Sequence, residues 1–462
     1  MAAEGLLMLS HDVVGVQMAG PGVRYWELAH VLARHLPVTL AVPAGPPPPP
    51  SATVRTVAYS LQDRAAVERL ADEHAALFLS GAALYHFPAL GQLDRPMAVD
   101  LYIPSILENL ETHGARPLDE RSAIHAADLG LLNQLLRAGD FFVCASERQR
   151  DLWLGALLAN NRVNPGTYAG DVTLRKLIDV VPFGLPSMPP VHSRPVLKGV
   201  YPGIGAEDRV ILWGGGIWEW LDPITLIEAV ARLAGAGQPV RLFFLGVRHP
   251  NPAVPEMARV RLARERSQEL GILNSHVFFN DWVPYEERQN YLLEADVGVS
   301  LHIDQVETRF SFRTRVLDYI WAGLPMVLAA GDSMSDMVQE HGLGILVPPR
   351  DVEALAQALQ AILSQPDPRG AYGPSFDALR PLLTWDRLAA PLLAFALEPW
   401  RTAGREEGAA GGEPRPTATP PVPTPPGKLL PKAWHILRRE GPGRLAQEAR
   451  SYVRWLRERP RP

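Results

Sequence analysis

The chain has 462 residues and a formal net charge of −5, with 47% hydrophobic and 21% charged residues. This composition is typical of a soluble globular protein of about two to four domains, and the charge gives no general case for nucleic-acid binding. The single cysteine, Cys144, excludes an intramolecular disulfide and a thiolate metal cluster, and it fits a reduced, cytosolic setting. No apolar run reaches the roughly 20 residues that span a bilayer, so we expect the protein to lie on a membrane at most.

Short apolar runs alternate with helical patterns through the first half of the chain. The predicted strands cover residues 6–9, 38–42, 54–59, 76–79, 97–101 and 141–144. The predicted helices cover residues 23–35, 62–74, 118–137 and 147–160. This βαβ rhythm predicts a mostly parallel sheet with helices on both faces, and therefore a Rossmann-like domain over residues 1–190.

The same rhythm restarts after a proline-rich segment, residues 181–195, which we interpret as a linker. The second set of predicted strands covers residues 209–213, 241–245, 277–279, 297–301, 326–329 and 345–347, with helices at 223–233 and 351–363. These elements predict a second Rossmann-like domain over residues 196–375. Residues 376–401, with a helix at 384–400, are expected to cross back between the two halves.

The predicted fold class is therefore α/β, with two doubly wound domains facing a central cleft. Open parallel sheets bind ligands outside the carboxyl ends of their strands, so the loops after the strands are the candidate site.

The end of the chain has a different composition. Residues 402–428 are rich in proline, glycine and threonine and are expected to be disordered. Residues 429–462 are predicted to form two short basic amphipathic helices. Residues 428–462 hold ten Lys/Arg against three Asp/Glu, a net of +7 that leaves −12 for the rest. We interpret this tail as an attachment to an anionic membrane surface, and the alternative is a partner-binding or dimerising helix pair.

An arginine cluster after the strand at 297–301 is the most informative feature of the chain. Ser311 stands where a helix N-cap is expected, and Arg309, Arg313 and Arg315 crowd the first turns of the predicted helix. Cations at that positive end are each disfavoured by roughly 0.3–1 kcal/mol, which predicts a bound anion such as a diphosphate. Asp318, two turns further on, is expected to accept hydrogen bonds from ribose hydroxyls. The alternative is an exposed arginine face on a surface helix.

Two glycine-rich turns follow predicted strands. The stronger of them is a run of three glycines at the start of the second half: Gly214, Gly215 and Gly216. Such a run is entropically costly in regular structure and suggests close approach of a large group, although a tight turn remains the alternative. The weaker turn, around Gly20, Gly22 and Arg24, opens the first helix, and a ligand loop and an ordinary turn are equally favoured there.

Carboxylates and histidines give weaker signals. Asp100 ends the strand at 97–101 and is a candidate to orient a sugar hydroxyl or act as a base, and a helix-capping or surface role is equally favoured. For Glu108 and Glu111, which follow, a helix-capping or surface role is favoured over a functional one. The histidines show no metal-ligand spacing, so no metal site is predicted, and only His302 beside the arginine cluster is worth following.

From residue 6 to residue 400 the sequence resembles a family-4-type glycosyltransferase with the GT-B fold. The resemblance is carried by the glycine turn near the N-terminus and by four blocks in the second half. These blocks are VILWGGG, VFFNDWVPYEERQNYLLEADVGVSLH, LDYIWAGLPMV and GLGILVPPRDVEALAQAL. The resemblance implies a hexosyltransferase that moves a sugar from a nucleotide diphosphate donor to a glycan or lipid-linked acceptor. It also implies retention of configuration, no metal and no cofactor.

Within that resemblance, the second half is expected to bind the donor and the first half the acceptor. Members of the family carry paired glutamates, and their places here are taken by Phe310 and Asp318. The Arg/Lys pair expected after the glycine run is missing, and the arginine cluster is expected to supply that charge. The histidine common at a strand end of the first half is replaced by Asp100. We therefore predict Asp100 and Arg313 as catalytic residues.

Two alternatives remain open from the sequence. One is a nucleotide-sugar epimerase with the same fold, and the other is a catalytically silent GT-B protein that binds glycan or a partner transferase. The expected partners are a nucleotide-sugar donor, a glycan or lipid-linked acceptor and an anionic membrane surface contacted through residues 429–462. The expected location is cytoplasmic, at the inner face of the cell membrane, without nucleic acid.

Overall fold

A computed structural model describes residues 4–405 and residue 449. The chain divides into two compact units, Met1–Gly408 and Ala409–Pro462, and the description that follows concerns the first. The predicted tail helices, and the predicted linker beyond residue 405, lie outside the described residues.

The first sheet has seven parallel strands in the order β3-β2-β1-β4-β5-β6-β7. They are β1 (Leu6–Leu9), β2 (Val38–Pro43), β3 (Arg55–Tyr59), β4 (Ala76–Ser80), β5 (Met97–Asp100), β6 (Phe141–Cys144) and β7 (Ile178–Val180). The central strands are buried along their whole length because helices cover both faces of the sheet.

The second sheet has six parallel strands in the order β10-β9-β8-β11-β12-β13. They are β8 (Arg209–Trp213), β9 (Val240–Phe244), β10 (Val277–Phe279), β11 (Val297–Ser300), β12 (Met326–Ala329) and β13 (Gly344–Val347). Together the two sheets confirm the prediction of an α/β fold with two doubly wound parts.

Seventeen α-helices of the described chain connect and cover these strands. In the first half they are α1 (Gly20–Leu32), α2 (Arg64–Asp72), α3 (Ala83–His86), α4 (Ser105–Thr112), α5 (Leu118–Ala138), α6 (Glu147–Ala159) and α7 (Pro165–Gly170). In the second half they are α8 (Pro223–Gly235), α9 (Ala258–Glu269), α10 (Arg288–Glu294), α11 (Val306–Phe310), α12 (Thr314–Ala322), α13 (Ser333–His341), α14 (Val352–Leu363), α15 (Pro368–Leu379), α16 (Trp385–Leu388) and α17 (Ala390–Leu397). No helix in this part of the chain is long and apolar enough to cross a bilayer.

Several details differ from the sequence predictions, and eight helices were not predicted: α3, α4, α7, α9, α10, α11, α13 and α15. The strand β7 was not predicted, because Asp179 interrupts its short apolar run. The single helix expected over 384–400 is wrong, since α16 ends at Leu388 and α17 begins at Ala390 with Pro391 in its first turn. The predicted domain boundaries remain predictions, because both sheets lie within one compact unit.

The chain returns from the second sheet to the first through its last helices. The Phe395 ring of α17 stacks on Phe141 of β6 with centroids 5.5 Å apart, and Trp385 packs on Phe183 at 4.6 Å. Phe395 is fully buried. This aromatic packing ties α17 to the core of the first half.

The substitution Phe395→Ala is expected to lower the free energy of unfolding by about 3–5 kcal/mol, because it leaves a cavity beside Phe141. Urea denaturation followed by circular dichroism measures the change. Leu397→Ala on the same helix is the control, since Leu397 is 51% exposed and its removal should cost less than about 0.5 kcal/mol. Equal effects of the two substitutions would contradict the assignment.

Candidate functional site

A cavity of about 390 Å³ lies between the carboxyl ends of the two sheets. Its walls come from the loops after β1, β5, β8, β9 and β10 and from the first turn of α12. Residues of both halves line it, including His11, Asp12, Gly20, Tyr102, Glu108, Gly214, Gly215, Gly216, Trp218, His249, Trp282, Arg288, Arg313, Arg315 and Asp318. This is the position where an open parallel sheet binds ligands.

The glycine run after β8 forms one wall of the cavity. The Gly214 amide donates to the Tyr319 hydroxyl at 2.8 Å, and that hydroxyl donates to the Val299 carbonyl at 2.9 Å. Gly215 has a φ of +76°, which favours glycine, and a Cβ added there would meet no neighbouring atom. Tyr319 fits because residue 298 is also glycine: a Cβ at Gly298 would lie 2.7 Å from its ring. Tyr319 therefore holds the glycine run in place, and the run remains accessible from the cavity.

Arg315 carries a charge that no carboxylate matches among the described side chains. Its Nη2 donates to the Gly216 carbonyl at 2.7 Å, and its guanidinium lies 4.6 Å from the centre of the Trp213 ring. Its Nη1 is buried and has no hydrogen-bond partner in the described chain. Burial lowers the pKa of Arg315 to about 10, so the group remains protonated at neutral pH. A net positive charge therefore stands beside the glycine run.

Arg313 also lines the cavity, but its charge is matched. Its Nη1 and Nη2 donate to the two oxygens of Glu307 at 2.9 and 2.7 Å, and its Nε lies 3.6 Å from Asp332. All three side chains are almost fully buried. The arginine that the sequence singled out as catalytic is thus bound to buried carboxylates.

The predicted helix N-cap and one predicted arginine are in other places. The helix begins at Thr314, so the N-cap is Arg313 and the prediction of Ser311 is wrong. The reason is the short helix α11, which Ser311 ends while its hydroxyl donates to the Thr308 carbonyl at 2.9 Å. Arg309 is exposed on the outer face of α11 and does not line the cavity.

Asp318 does line the cavity, and it forms an ion pair there with another arginine, Arg288. The Nε of Arg288 lies 3.2 Å from Asp318 Oδ1, and the Arg288 guanidinium stacks 3.7 Å from the centre of the Tyr285 ring. Sequence reasoning missed Arg288, because it begins a different helix, α10, and shares no motif with the arginine cluster.

The predicted first-half residues are mostly packing residues. Asp100 accepts from Arg24 Nε at 2.7 Å and from Nη2 at 3.0 Å, with both side chains buried and away from the cavity. The prediction of a cleft-facing Asp100 is corrected, because Arg24 encloses its carboxylate. Gly22 is also not in the cavity wall, since a Cβ there would lie 2.1 Å from the Val13 carbonyl oxygen. Gly20, at the start of α1, does line the cavity.

Other groups reach the cavity without a sequence signal. Asp12 accepts a hydrogen bond from the Asn251 side chain at 2.9 Å, which joins the two halves across the cleft. His11 Nδ1 lies 2.8 Å from the Ser80 hydroxyl. His302 is buried 3.9 Å from Asp332, outside the cavity wall.

A second group on the second-half wall is aromatic. Trp218 stacks on Trp220 with centroids 5.4 Å apart, and the His249 ring lies 5.5 Å from Trp218 and 5.8 Å from Trp282. The wall of the cavity therefore contains both aromatic rings and arginine side chains.

Asp100→Ala is expected to lower the free energy of unfolding by about 3–5 kcal/mol, because it leaves the Arg24 charge buried and unpaired. Removing both charges, with Asp100→Leu and Arg24→Met together, should recover most of that loss. Thermal and urea unfolding of the two variants measures this. A single variant that unfolds like the wild type but loses activity would instead support a catalytic Asp100.

Comparisons with known proteins agree with this architecture. Residues 208–365 match the family of glycosyl transferases group 1. Three solved structures align over nearly their whole length. Sucrose-phosphate synthase from Thermosynechococcus elongatus shares 16% identity over 84% of this chain and 96% of that one, with a TM-score of 0.60. HepE from Anabaena, in complex with UDP-glucose, shares 13% over 85% and 99%, with a TM-score of 0.61. WaaG, a glycosyltransferase involved in lipopolysaccharide biosynthesis, shares 16% over 84% and 98%, with a TM-score of 0.57. No curated protein matches the chain.

Proposed function

We propose that this chain uses a nucleoside diphosphate sugar as its donor. The starting point is that the chain is a GT-B glycosyltransferase with a group 1 domain at residues 208–365. The observation that carries the proposal is the unmatched guanidinium of Arg315 beside the open glycine run. One solved structure with this fold is in complex with UDP-glucose, which supports the same class of donor.

The diphosphate of the donor would lie between the glycine run and the first turn of α12. The amides of an open glycine run and the positive end of a helix both favour an anion. Arg315 adds a full charge in a setting where burial strengthens electrostatic attraction. The same groups would stabilise the negative charge that develops on the diphosphate as it leaves. Electrostatic stabilisation of this kind usually makes the largest single contribution to the rate enhancement by an enzyme.

The nucleoside would extend along the wall that holds Asp318. Its carboxylate is about one-third exposed, and Arg288 fixes its orientation. A carboxylate with free lone pairs accepts hydrogen bonds from two adjacent ribose hydroxyls. This is the role that the family resemblance gives to the glutamate at this place, with a shorter side chain here.

The acceptor would enter from the first half. The polar groups on that wall come from His11, Tyr102 and the start of α1. The spacing of the two sheets sets the distance between these groups and the phosphate groups of the donor. We infer an acceptor that carries a sugar or another hydroxyl, in a glycan or lipid-linked pathway. Retention of configuration and independence from a metal belong to the same proposal and rest on the resemblance.

Arg315→Ala is expected to weaken the binding of UDP by about 1.5–3 kcal/mol, roughly 10- to 150-fold, because a charge-assisted contact to phosphate is lost. Titration calorimetry with UDP measures the affinity. If wild-type protein does not bind UDP, the same comparison is made with GDP and ADP.

Arg309→Ala is the matched control, since it removes the same group from the outer face of α11 and should leave the affinity unchanged. Wild-type affinity in the Arg315 variant, or equal losses in both variants, would contradict the phosphate site. Binding without any turnover of nucleotide sugars would favour the catalytically silent protein.

We also propose that residues 429–462 hold the enzyme at an anionic membrane, at the cytoplasmic face. The net charge of +7 over residues 428–462 supports this, because each basic residue near such a surface contributes about 1 kcal/mol.

Truncation after Gly408 should reduce co-sedimentation with vesicles containing phosphatidylserine by more than about tenfold. This end point keeps Arg405, which donates to Asp140 of the first half at 2.6 Å. Vesicles of phosphatidylcholine alone are the control and should bind neither form. An unchanged bound fraction after truncation would remove the membrane role and leave a partner-binding tail.

A further inference from the structure

Glu108 has a carboxyl group in the cavity wall, although the sequence favoured a helix-capping or surface role for it. It lies on α4, the helix that follows β5, and α4 packs against both α5 and α11. Its side chain is half-buried, and no hydrogen bond or ion pair is made to its carboxyl oxygens within the described chain. A polar group left without a protein partner in a ligand cavity is available to a ligand.

The charged groups around Glu108 come from several elements. Burial is the main cause that raises the pKa of Glu108 to about 8, and the negative charge of Glu307 on α11 adds to it. Arg313 acts in the opposite direction, although its guanidinium is already bound to Glu307. Tyr102 also interacts electrostatically with Glu108. On α5, Asp128 accepts from Asn109 instead. Burial and the charge of Glu307 therefore favour the protonated form of the Glu108 carboxyl near neutral pH.

A protonated carboxyl has a role here that an ionised one does not. An ionised carboxylate beside a bound diphosphate would repel it, whereas a neutral carboxylic acid has an O–H group to donate. Glu108, Arg313 and Arg315 all line the cavity, and α4 packs against α11, the helix that ends three residues before Arg313. The three groups therefore belong to one end of the cavity, the end that holds the diphosphate in the proposed function.

We propose that Glu108 is a catalytic residue of the transfer reaction, the general acid that protonates the leaving diphosphate. The role rests on the proposed function. The bond between the anomeric carbon and the diphosphate oxygen breaks, the electron pair remains on that oxygen, and the Glu108 proton goes to the diphosphate. The acceptor hydroxyl forms the new bond to the anomeric carbon, and its proton passes to the Glu108 carboxylate, which restores the acid.

The test is the pH dependence of turnover in wild type, Glu108→Gln and the control Glu111→Gln on the same helix. UDP-glucose is the first donor probe, followed by GDP-mannose and ADP-glucose, and release of the nucleoside diphosphate is measured across neutral and alkaline pH. The wild-type kcat/KM should fall as pH rises through about 8, because the acid form is the active one and is lost above its pKa.

Glutamine keeps a hydrogen-bond donor but cannot give up a proton. Glu108→Gln should therefore lower kcat by about 100-fold or more and abolish the alkaline fall, with UDP affinity and thermal unfolding unchanged. Glu108→Asp, which still titrates, should keep an alkaline fall at a reduced kcat. Glu111→Gln should match the wild type throughout.

A wild-type pH profile in Glu108→Gln, or a change in KM alone, would overturn the role of Glu108 and leave the proposed function intact. If the Gln variant does not fold, loss of the alkaline fall in Glu108→Asp would overturn it as well. Failure of the wild type to turn over any of the three donors would contradict the proposed function itself, and the role of Glu108 with it.

Discussion

One half-buried, unmatched positive charge organises the candidate site. Three arginines close together in sequence have different surroundings: Arg309 is in solvent, Arg313 is neutralised by Glu307, and Arg315 has no anionic partner in the part of the chain that the structure describes. A buried cation without a counter-charge is costly unless a ligand supplies one. Folding of α12 places that charge at the carboxyl end of β8, beside backbone amides. A bound anion at this position can therefore offset the free-energy cost of the unpaired charge.

The two sheets create the site because each contributes what the other lacks. The second half provides cations, the glycine run and flat rings, and the first half provides the start of α1 and Glu108. Hydrogen bonds across the cleft hold the halves together: Tyr285 donates to Glu27 at 2.8 Å, and Asn251 donates to Asp12. Burial raises the pKa of Glu27, while the Tyr285 hydrogen bond opposes that rise.

The fold was predictable from sequence because buried parallel strands are short apolar runs, and eleven of these thirteen strands are longer than three residues. Of the two shortest, Val277–Phe279 was predicted and β7 was missed. The site was less predictable, because side-chain partners are distant in sequence. Asp100 looked like a cleft carboxylate until Arg24, from another helix, was found to enclose it. Ser311 resembled an N-cap, but it ends one helix instead of starting the next. The exposure of Glu108 to the cavity depends on tertiary packing alone.

A crystal structure of the protein with UDP bound tests the central claim most directly. The account predicts the diphosphate within about 3 Å of the Arg315 guanidinium and of an amide in the run Gly214–Gly216. A diphosphate held elsewhere in the cleft, with Arg315 still contacting only Gly216 and Trp213, would contradict it.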